Sequence, residues 1–357
     1  MGVTTPSVVT TEPAVTDTPA VGTPLSVTEP APVDTTTPVG MTTPVDTTPP
    51  AVGTRPVATS RALTGPAPTI APRRRIGVRT FDLATQVAVM AIVNRTPDSF
   101  YDRGRTFALD AAVAGALRAV EQGADWVDIG GVPFSPDTPP VSVAEELDRV
   151  LPVVQAVRAT SDVVISVDTY RPEVAARCVA AGADVVNDTS GLREPAMADV
   201  VAATGATIVI AHSLAAPHTH HPRPTYGDVV TEVADFLRQR VELARARGVR
   251  DEQIVIDPGH DLNKNTDHSL ELIRRLPEIA ALGYPTLVAL SRKDFVGETL
   301  GRPRSDRLPG SLAAAALCVL GGARIVRTHD VAATVDAVRM TEAVLGLRRP
   351  VEHRHNR

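Results

Sequence analysis

Eight times between Val87 and Asp330, an apolar, β-branched run ends in polar or ionisable residues. The first is V-A-V-M-A-I-V-N, closing on Asn94, and the second is D-W-V-D-I-G-G, which carries Asp128. Next come V-V-I-S-V-D-T (Asp168), A-D-V-V-N-D (Asn187, Asp188), A-T-I-V-I-A-H (His212) and Q-I-V-I-D-P-G (Asp257). The last two are T-L-V-A-L-S-R-K (Lys293) and R-I-V-R-T-H-D (Arg327, His329). Helical patterns separate these runs. Short buried strands alternating with helices predict parallel βα units. Eight such units predict an α/β fold, a (β/α)8 TIM barrel. In that fold the C-terminal strand ends line one pocket, so the polar residues that end these runs are candidates for a single site.

The helical segments carry their own punctuation. One is expected from about Ala108 to Gln122, with Gly123 as its C-cap. Another starts near Val143, with Glu145 and Glu146 in its first turn, where the helix dipole favours them. Pro172 and Pro195 mark two further starts. Helices are also expected over about Tyr226–Arg247, Asp267–Leu282 and Gly310–Leu320. The last is almost purely apolar, so it is expected to be buried on more than one side. One face meets the barrel and the other a second subunit, which predicts a homodimer.

Composition divides the chain. Residues 1–72 are dominated by Thr, Pro, Val and Ala in loose T-T-P-V repeats. Proline at that density opposes helices and sheet ladders, and few large side chains offset the entropy of ordering. This segment is expected to be a disordered, partly polyproline-like tail. Trimming the chain at Arg73 is therefore expected to leave the barrel's stability unchanged. Arg73, Arg74 and Arg75 then form a basic patch, expected to be a solvated turn. The barrel is expected over residues 73–350, and 351–357 as a disordered C-terminal tail. A net charge of −5 gives no pull toward nucleic acid or anionic membranes. No apolar run is long enough to span a bilayer, and no secretory signal is visible, so the expected location is cytoplasmic. Cys178 and Cys318 are expected to be buried core thiols. Trp126 is expected in the core and His212 in a structural role. The H-T-H-H cluster (His218, His220, His221) lacks neighbouring carboxylates or cysteines that would make it a metal site.

The segments M-A-I-V-N-R-T-P-D-S-F, D-I-G-G, S-V-D-T, V-N-D-T-S-G, I-D-P-G-H-D-L-N-K, S-R-K-D-F-V-G and R-T-H-D occur in this order from Val87 to about Gly346. Together they resemble dihydropteroate synthase. The resemblance implies a transferase of folate biosynthesis that joins 6-hydroxymethyl-dihydropterin pyrophosphate to para-aminobenzoate with release of pyrophosphate. It implies that Asp168, Asn187, Asp257 and Lys293 bind the pterin, whose amino-pyrimidinone edge suits carboxylates and amides. Arg327 and His329 match the pyrophosphate-binding pair, and Lys293, Arg327 and His329 make up the implied catalytic set. Asn94 matches the ligand of a magnesium cofactor, a hard cation shared with phosphate oxygens. Asp98 lies on the implied covering loop.

The chain departs from the family pattern on one side. Where the family has E-S-T-R-P after D-I-G-G, it has Val132-Pro133-Phe134-Ser135-Pro136. Leu262 replaces a phenylalanine, with His260 and Asp261 beside it, and Asp294 replaces a serine. Arg95 stands at a usual valine position. Asp294 is expected to repel the aminobenzoate carboxylate. Pterin-reading and pyrophosphate-reading positions are kept while aminobenzoate-reading ones change, which resembles the divergent second synthase copy of some actinobacteria. The alternatives are a non-catalytic pterin-binding paralogue with a regulatory or assembly role, and a pterin-domain methyltransferase. The S-R-K and R-T-H-D blocks favour pyrophosphate chemistry over the latter.

Overall fold

The computed structural model describes residues 65–94, 109–133, 137–217, 219 and 223–355, together with Gly2. Among them, ten strands and ten α-helices follow in order. The strands are β1 (Arg73–Ile76), β2 (Arg79–Asp82), β3 (Ala88–Asn94), β4 (Trp126–Gly130), β5 (Val164–Asp168), β6 (Val185–Asp188), β7 (Thr207–Ala211), β8 (Ile254–Asp257), β9 (Thr286–Ala289) and β10 (Ala323–Thr328). The helices are α1 (Leu109–Glu121), α2 (Val143–Thr160), α3 (Pro172–Ala180), α4 (Ala196–Thr204), α5 (Val229–Ala246), α6 (Thr266–Arg274), α7 (Leu276–Ala280), α8 (Asp294–Leu300), α9 (Leu308–Leu320) and α10 (Val331–Val344). Strands β3 to β10 close a parallel barrel in sequence order, β10 pairing back onto β3. The eight apolar runs are these eight strands, so the expected (β/α)8 TIM barrel is the fold.

Strand period 2 divides the core. One set of side chains points outward to the helices, such as Val127, Ile129, Ile165 and Val167 against α1 and α2 residues. The alternate set fills the barrel's lower interior with Met90, Trp126, Val164, Val185, Val209, Val255, Leu287 and Ile325. Trp126 is fully buried there, as expected for a core residue. Above this plug the same inward-facing positions turn polar.

The barrel floor differs from expectation. Arg73–Ile76 is a strand rather than a solvated turn, and it pairs antiparallel with β2. The hairpin inserts Ile76, Phe81 and Leu83 under the barrel, with the Phe81 ring edge-on to Trp126 at 6.0 Å. Arg74, 3% exposed, donates to the carbonyls of Ile70, Ala71, Glu252 and Ile254. Its guanidinium thereby satisfies four backbone acceptors at the floor. Alternation in R-R-R-I and R-T-F-D is hidden by charge, which is why the sequence suggested a turn.

The packed unit also begins upstream of residue 73. Gly65 N donates to Leu320 O, and the amides of Thr69 and Ile70 to Gly283 O. The rest of the expected tail, up to residue 64, lies outside the described residues apart from Gly2. Two helices depart from expectation as well. The segment Asp267–Leu282 breaks into α6 and α7 at Arg275, because Pro277 lacks the amide a continuous helix requires. The short α8, after S-R-K, has too few turns to show a periodic pattern. Gly123 ends α1 as expected, at φ +94°. Cys178 and Cys318 are free and buried.

A chain beginning at Arg73 loses the Gly65, Thr69 and Ile70 bonds and two of the acceptors that hold Arg74. At about 1 kcal/mol per hydrogen bond, it should be less stable by about 5 kcal/mol than one beginning at Gly65. Differential scanning calorimetry should then show a melting temperature lower by roughly 5–10 °C. Equal melting temperatures would mean that residues 65–72 contribute nothing.

Candidate active site

The inward-facing positions of β3, β4, β5, β6, β8 and β10 end in Asn94, Gly130, Asp168, Asn187, Asp257 and Arg327, each two or four residues above an apolar plug residue. Strand pairing sets neighbours level: Asn94 opposite Gly130, Gly130 opposite Asp168, Asp168 opposite Asn187. Asp188 points the other way. Its carboxylate accepts the amides of Ser190 and Leu192 and the Ser190 hydroxyl, so it holds the next turn together.

Asp128 lies at the base of this polar layer and is fully buried. Its Oδ1 accepts from Ser166 Oγ at 2.6 Å. Its Oδ2 accepts from Asn187 Nδ2 at 3.1 Å and from Arg327 Nε at 2.7 Å. Arg327 Nη2 also donates to Asp168 at 3.2 Å. One guanidinium thus bridges two carboxylates, which hold its proton more tightly than usual despite burial. Asp168 is pushed up to about 7, first by desolvation and then by Asp128, with Arg327 opposing. Asn187 Oδ1 is buried and has no donor among the described residues. An unsatisfied acceptor in such a place costs about 1–3 kcal/mol, a cost that an incoming N–H donor relieves.

The far side of the pocket is built by the turn after β8 and the loop after β9. Asp257 Oδ1 accepts Gly259 N at 2.7 Å. Gly259 takes φ +66°, and a Cβ there would lie 2.2 Å from the His212 carbonyl oxygen. Lys264 Nζ donates to the carbonyls of Gly259 and Leu262 and meets His212 Nδ1 at 2.8 Å. His212 is lowered to about 2 by burial and by Lys264, so it serves as a neutral acceptor, the structural role expected of it. Lys293 Nζ donates to the His260 carbonyl, and burial lowers its pKa. His329 Nδ1 lies 3.1 Å from Ser291 Oγ. The fork between Arg292 and Asp330, with two 2.7 Å contacts, locks these two loops together.

Chemically, the pocket offers converging acceptors on β5, β6 and β8 and two cations, Lys293 and Arg327. The acceptors suit a flat ligand edge rich in N–H groups, and the cations suit an anionic leaving group. For a magnesium ion the fit is partial. Asn94 offers a hard carboxamide oxygen at the rim, 3.2 Å from where a Cβ on Gly130 would lie. Among the described residues no group of three or more His, Cys, Asp or Glu could hold a metal. These residues therefore fit an ion whose other ligands are diphosphate oxygens and water.

The structure brings all the expected residues to one rim: Asn94, Asp168, Asn187, Asp257, Lys293, Arg327 and His329. Asp128 is one of the polar residues expected to converge on a single site, but the resemblance implies no part for it; it sits two residues below the rim position. The reading of Asp294 needs correction. Its side chain is 66% exposed and pairs with Arg307 at 2.8 Å and Arg304 at 3.6 Å. A solvated, paired carboxylate exerts little repulsion. Asp98, Arg95, Phe134, Ser135, Pro136, His218, His220 and His221 lie outside the described residues.

A family profile described as pterin binding enzyme matches residues 90–329. A Mycobacterium leprae protein named inactive dihydropteroate synthase 2 is 46% identical over 273 residues, covering 75% of this chain and 94% of that protein. The dihydropteroate synthase of a Synechocystis species is 41% identical over 275 residues, covering 76% of this chain and 95% of that one. The structure of Xanthomonas albilineans dihydropteroate synthase in complex with 7,8-dihydropteroate is similar with a TM-score of 0.67 at 40% identity, covering 76% and 98% of the two chains.

Removing the Asp128 carboxylate strands Arg327, Asn187 Nδ2 and Ser166 Oγ in a dry layer. Breaking a buried pair in this way costs about 3–5 kcal/mol. Asp128→Ala should lower the urea midpoint accordingly, and Asp128→Asn should lower it less. A loss under about 1 kcal/mol for the alanine variant would show that the network does not support the barrel.

Proposed function

The chain belongs to the pterin binding enzyme family, and from that premise we propose that it is a dihydropteroate synthase-type transferase with an altered aminobenzoate site. Its substrates are 6-hydroxymethyl-dihydropterin pyrophosphate and para-aminobenzoate. The observation that carries this reading is the unsatisfied Asn187 Oδ1 level with Asp168, on the same rim as Asp257. These acceptors complement the N–H groups of an amino-pyrimidinone edge, and a ligand lacking those donors leaves them unpaired. Lys293 donates to the pterin's acceptor atoms.

Arg327 connects the two halves of the substrate. In the free protein its Nη2 group is held by Asp168. When the pterin's donors engage Asp168, that arm turns to the pyrophosphate with His329. The methylene C–O bond then breaks, its electron pair leaving with pyrophosphate. The amine nitrogen of para-aminobenzoate forms the new C–N bond and releases a proton. Asn94 would hold a magnesium ion, which would supply positive charge against the pyrophosphate.

On the aminobenzoate side, Val132–Pro136 lacks the threonine and arginine of the family pattern, and Leu262, 8% exposed, replaces an aromatic side chain. Weak use of para-aminobenzoate follows. A second reading, pterin binding without catalysis, is favoured by the inactive dihydropteroate synthase 2 proteins of Mycobacterium leprae and Mycobacterium tuberculosis, at 46% and 47% identity. We further propose a cytoplasmic homodimer. No helix among the described residues is long and apolar enough to cross a membrane. Leu317 on α9 and Met340 and Val344 on α10 are 56%, 66% and 65% exposed, which leaves an apolar face for a second copy.

The deciding experiment measures binding and turnover of 6-hydroxymethyl-dihydropterin pyrophosphate with and without para-aminobenzoate. Product should form slowly and only at high para-aminobenzoate, and Phe134→Thr with Ser135→Arg should raise the rate at low concentration. Pterin binding with no product from either protein would establish the second reading. No pterin binding at all would sink both.

Acid should weaken pterin binding. Asp168 is pushed up to about 7 in the free protein, and the ligand needs its carboxylate. Below pH 7 each binding event therefore expels a proton, and affinity should fall about tenfold per pH unit. Calorimetry in buffers of different ionisation enthalpy reads that proton. Asp168→Asn should abolish the release and weaken binding at least about tenfold at pH 8, from one lost charged hydrogen bond.

The assembly has a separate check. Sedimentation at micromolar concentration should give a dimer, and Met340→Glu a monomer.

A further inference from the structure

Of the 36 lysine and arginine residues in this chain, two are lysines, Lys264 and Lys293. Both converge on the turn after β8. Arginine stays charged, whereas lysine is a compact charge whose proton responds to its surroundings. The turn therefore holds the chain's only titratable cations of lysine type, and its acidic residue, Asp261, is placed to govern one of them.

Asp261 adopts φ +63° and Asn263 φ +52°. Glycine takes such angles without steric cost, and non-glycine residues there are strained by about 1 kcal/mol or more. Each of the two side chains makes contacts that offset the strain. Asn263 Oδ1 accepts from Ser213 Oγ and Ala215 N, both at 2.9 Å, tying the turn to the loop after β7. Asp261 Oδ1 accepts from Ser269 Oγ of α6 at 3.1 Å, and Oδ2 accepts the backbone amide of Asp294 at 2.8 Å. Asp294 is the first residue of α8, and Lys293 is that helix's N-cap. Asp261 thus grips the backbone directly beside Lys293. Across the turn, Lys293 Nζ donates to the carbonyl of His260, the residue before Asp261.

We propose that Asp261 is a positioning residue for Lys293: its carboxylate ties the turn after β8 to the start of α8 and supplies a fixed counter-charge to the Lys293 ammonium. This rests on the reading that Lys293 donates to a pterin. The electrostatic surroundings agree. Burial lowers the Lys293 pKa, and Asp261 is the largest influence opposing it, ahead of Asp257. Burial in turn raises Asp261, and Lys293 leads the influences that oppose it. The groups facing Lys293 are Asp257 at the end of β8, His260, Asp261 and Lys264 in the turn, Asp294 of α8 and Arg327 of β10. The His260 ring is fully buried with neither nitrogen partnered among the described residues, so it supplies no counter-charge. Asp294 is turned toward Arg307 and Arg304.

Asp261→Asn and Asp261→Gly test the idea without ligand. With two lysines in the chain, [13Cε]lysine NMR from pH 6 to 11 gives two resolvable resonances, assigned with Lys293→Arg. Removing the Asp261 charge should move the Lys293 titration down, to a measurably lower pH, in both variants. Asp261→Gly also relieves the strained φ, so its melting temperature should not fall in step with that shift. Affinity for 6-hydroxymethylpterin above neutral pH should drop at least about threefold in Asp261→Asn, with the difference from wild type shrinking as pH falls toward the range where Asp261 itself protonates. An unchanged Lys293 titration in both variants would overturn the proposal, whatever the pterin data say. Failure of wild type to bind pterin, with the NMR shift intact, would instead count against the functional reading.

Discussion

The polar rim of this barrel depends on one buried carboxylate. Asp128 occupies an inward position that in the layer below holds Trp126, and no water reaches it. An isolated charge there would be untenable. It is tolerable because Ser166, Asn187 and Arg327 from three different strands converge on its two oxygens. The same contacts fix the Asn187 amide by its nitrogen, leaving its oxygen unpartnered among the described residues, and they anchor the Arg327 guanidinium by Nε while Nη2 donates to Asp168. Orientation of the ligand-facing groups is therefore a consequence of satisfying the group beneath them. This is why a residue that touches no ligand in the proposed mechanism constrains the residues that do.

A pocket of this kind is strained in its free state. Asn187 Oδ1 lacks a donor, and Asp168 is close to protonation at neutral pH, with Arg327 holding it only at 3.2 Å. Each deficit is of a sign that a donor-rich heterocycle removes. In the proposed mechanism, recognition and preparation of the leaving-group site are one event, since the arm of Arg327 that Asp168 gives up is the arm an anion takes.

The barrel and its rim were legible in the sequence because both follow from period 2. Apolar runs of strand length define the plug and the helix-facing layer, and the same parity carries Asp168, Asn187, Asp257 and Arg327 to the inside. Parity also separates Asn187 from Asp188, which are adjacent in sequence yet serve the pocket and a turn respectively. What the pattern could not show was partnership. Arg74 reads as one of three solvated arginines until the carbonyls of Glu252 and Ile254, nearly two hundred residues away, are seen to need it. Asp294 reads as a repulsive charge until Arg307 is seen beside it. Charge in a sequence has a sign but no dielectric environment, and the environment decides its effect.

The turn after β8 shows how a site can diverge while its frame is kept. The block D-P-G-H-D-L-N-K resembles a family pattern D-P-G-I-G-F-G-K, in which glycines stand at positions 261 and 263, where the backbone here takes left-handed angles. Aspartate and asparagine are the other residues that tolerate this conformation, so the turn keeps its path and gains two side chains. Asn263 fastens it to the loop after β7 and Asp261 to α8. A turn that glycine leaves free to rearrange becomes cross-braced, and it gains a carboxylate beside the pocket's lysine. The proposed pterin-facing residues keep their identities through that change. The surface next to them, where the proposed second substrate would fit, gains these tethers and an acidic side chain. On the reading proposed above, divergence concentrated there bears on the second substrate while the identities of the pterin-facing residues are kept and one of them, Lys293, acquires a new neighbour in Asp261.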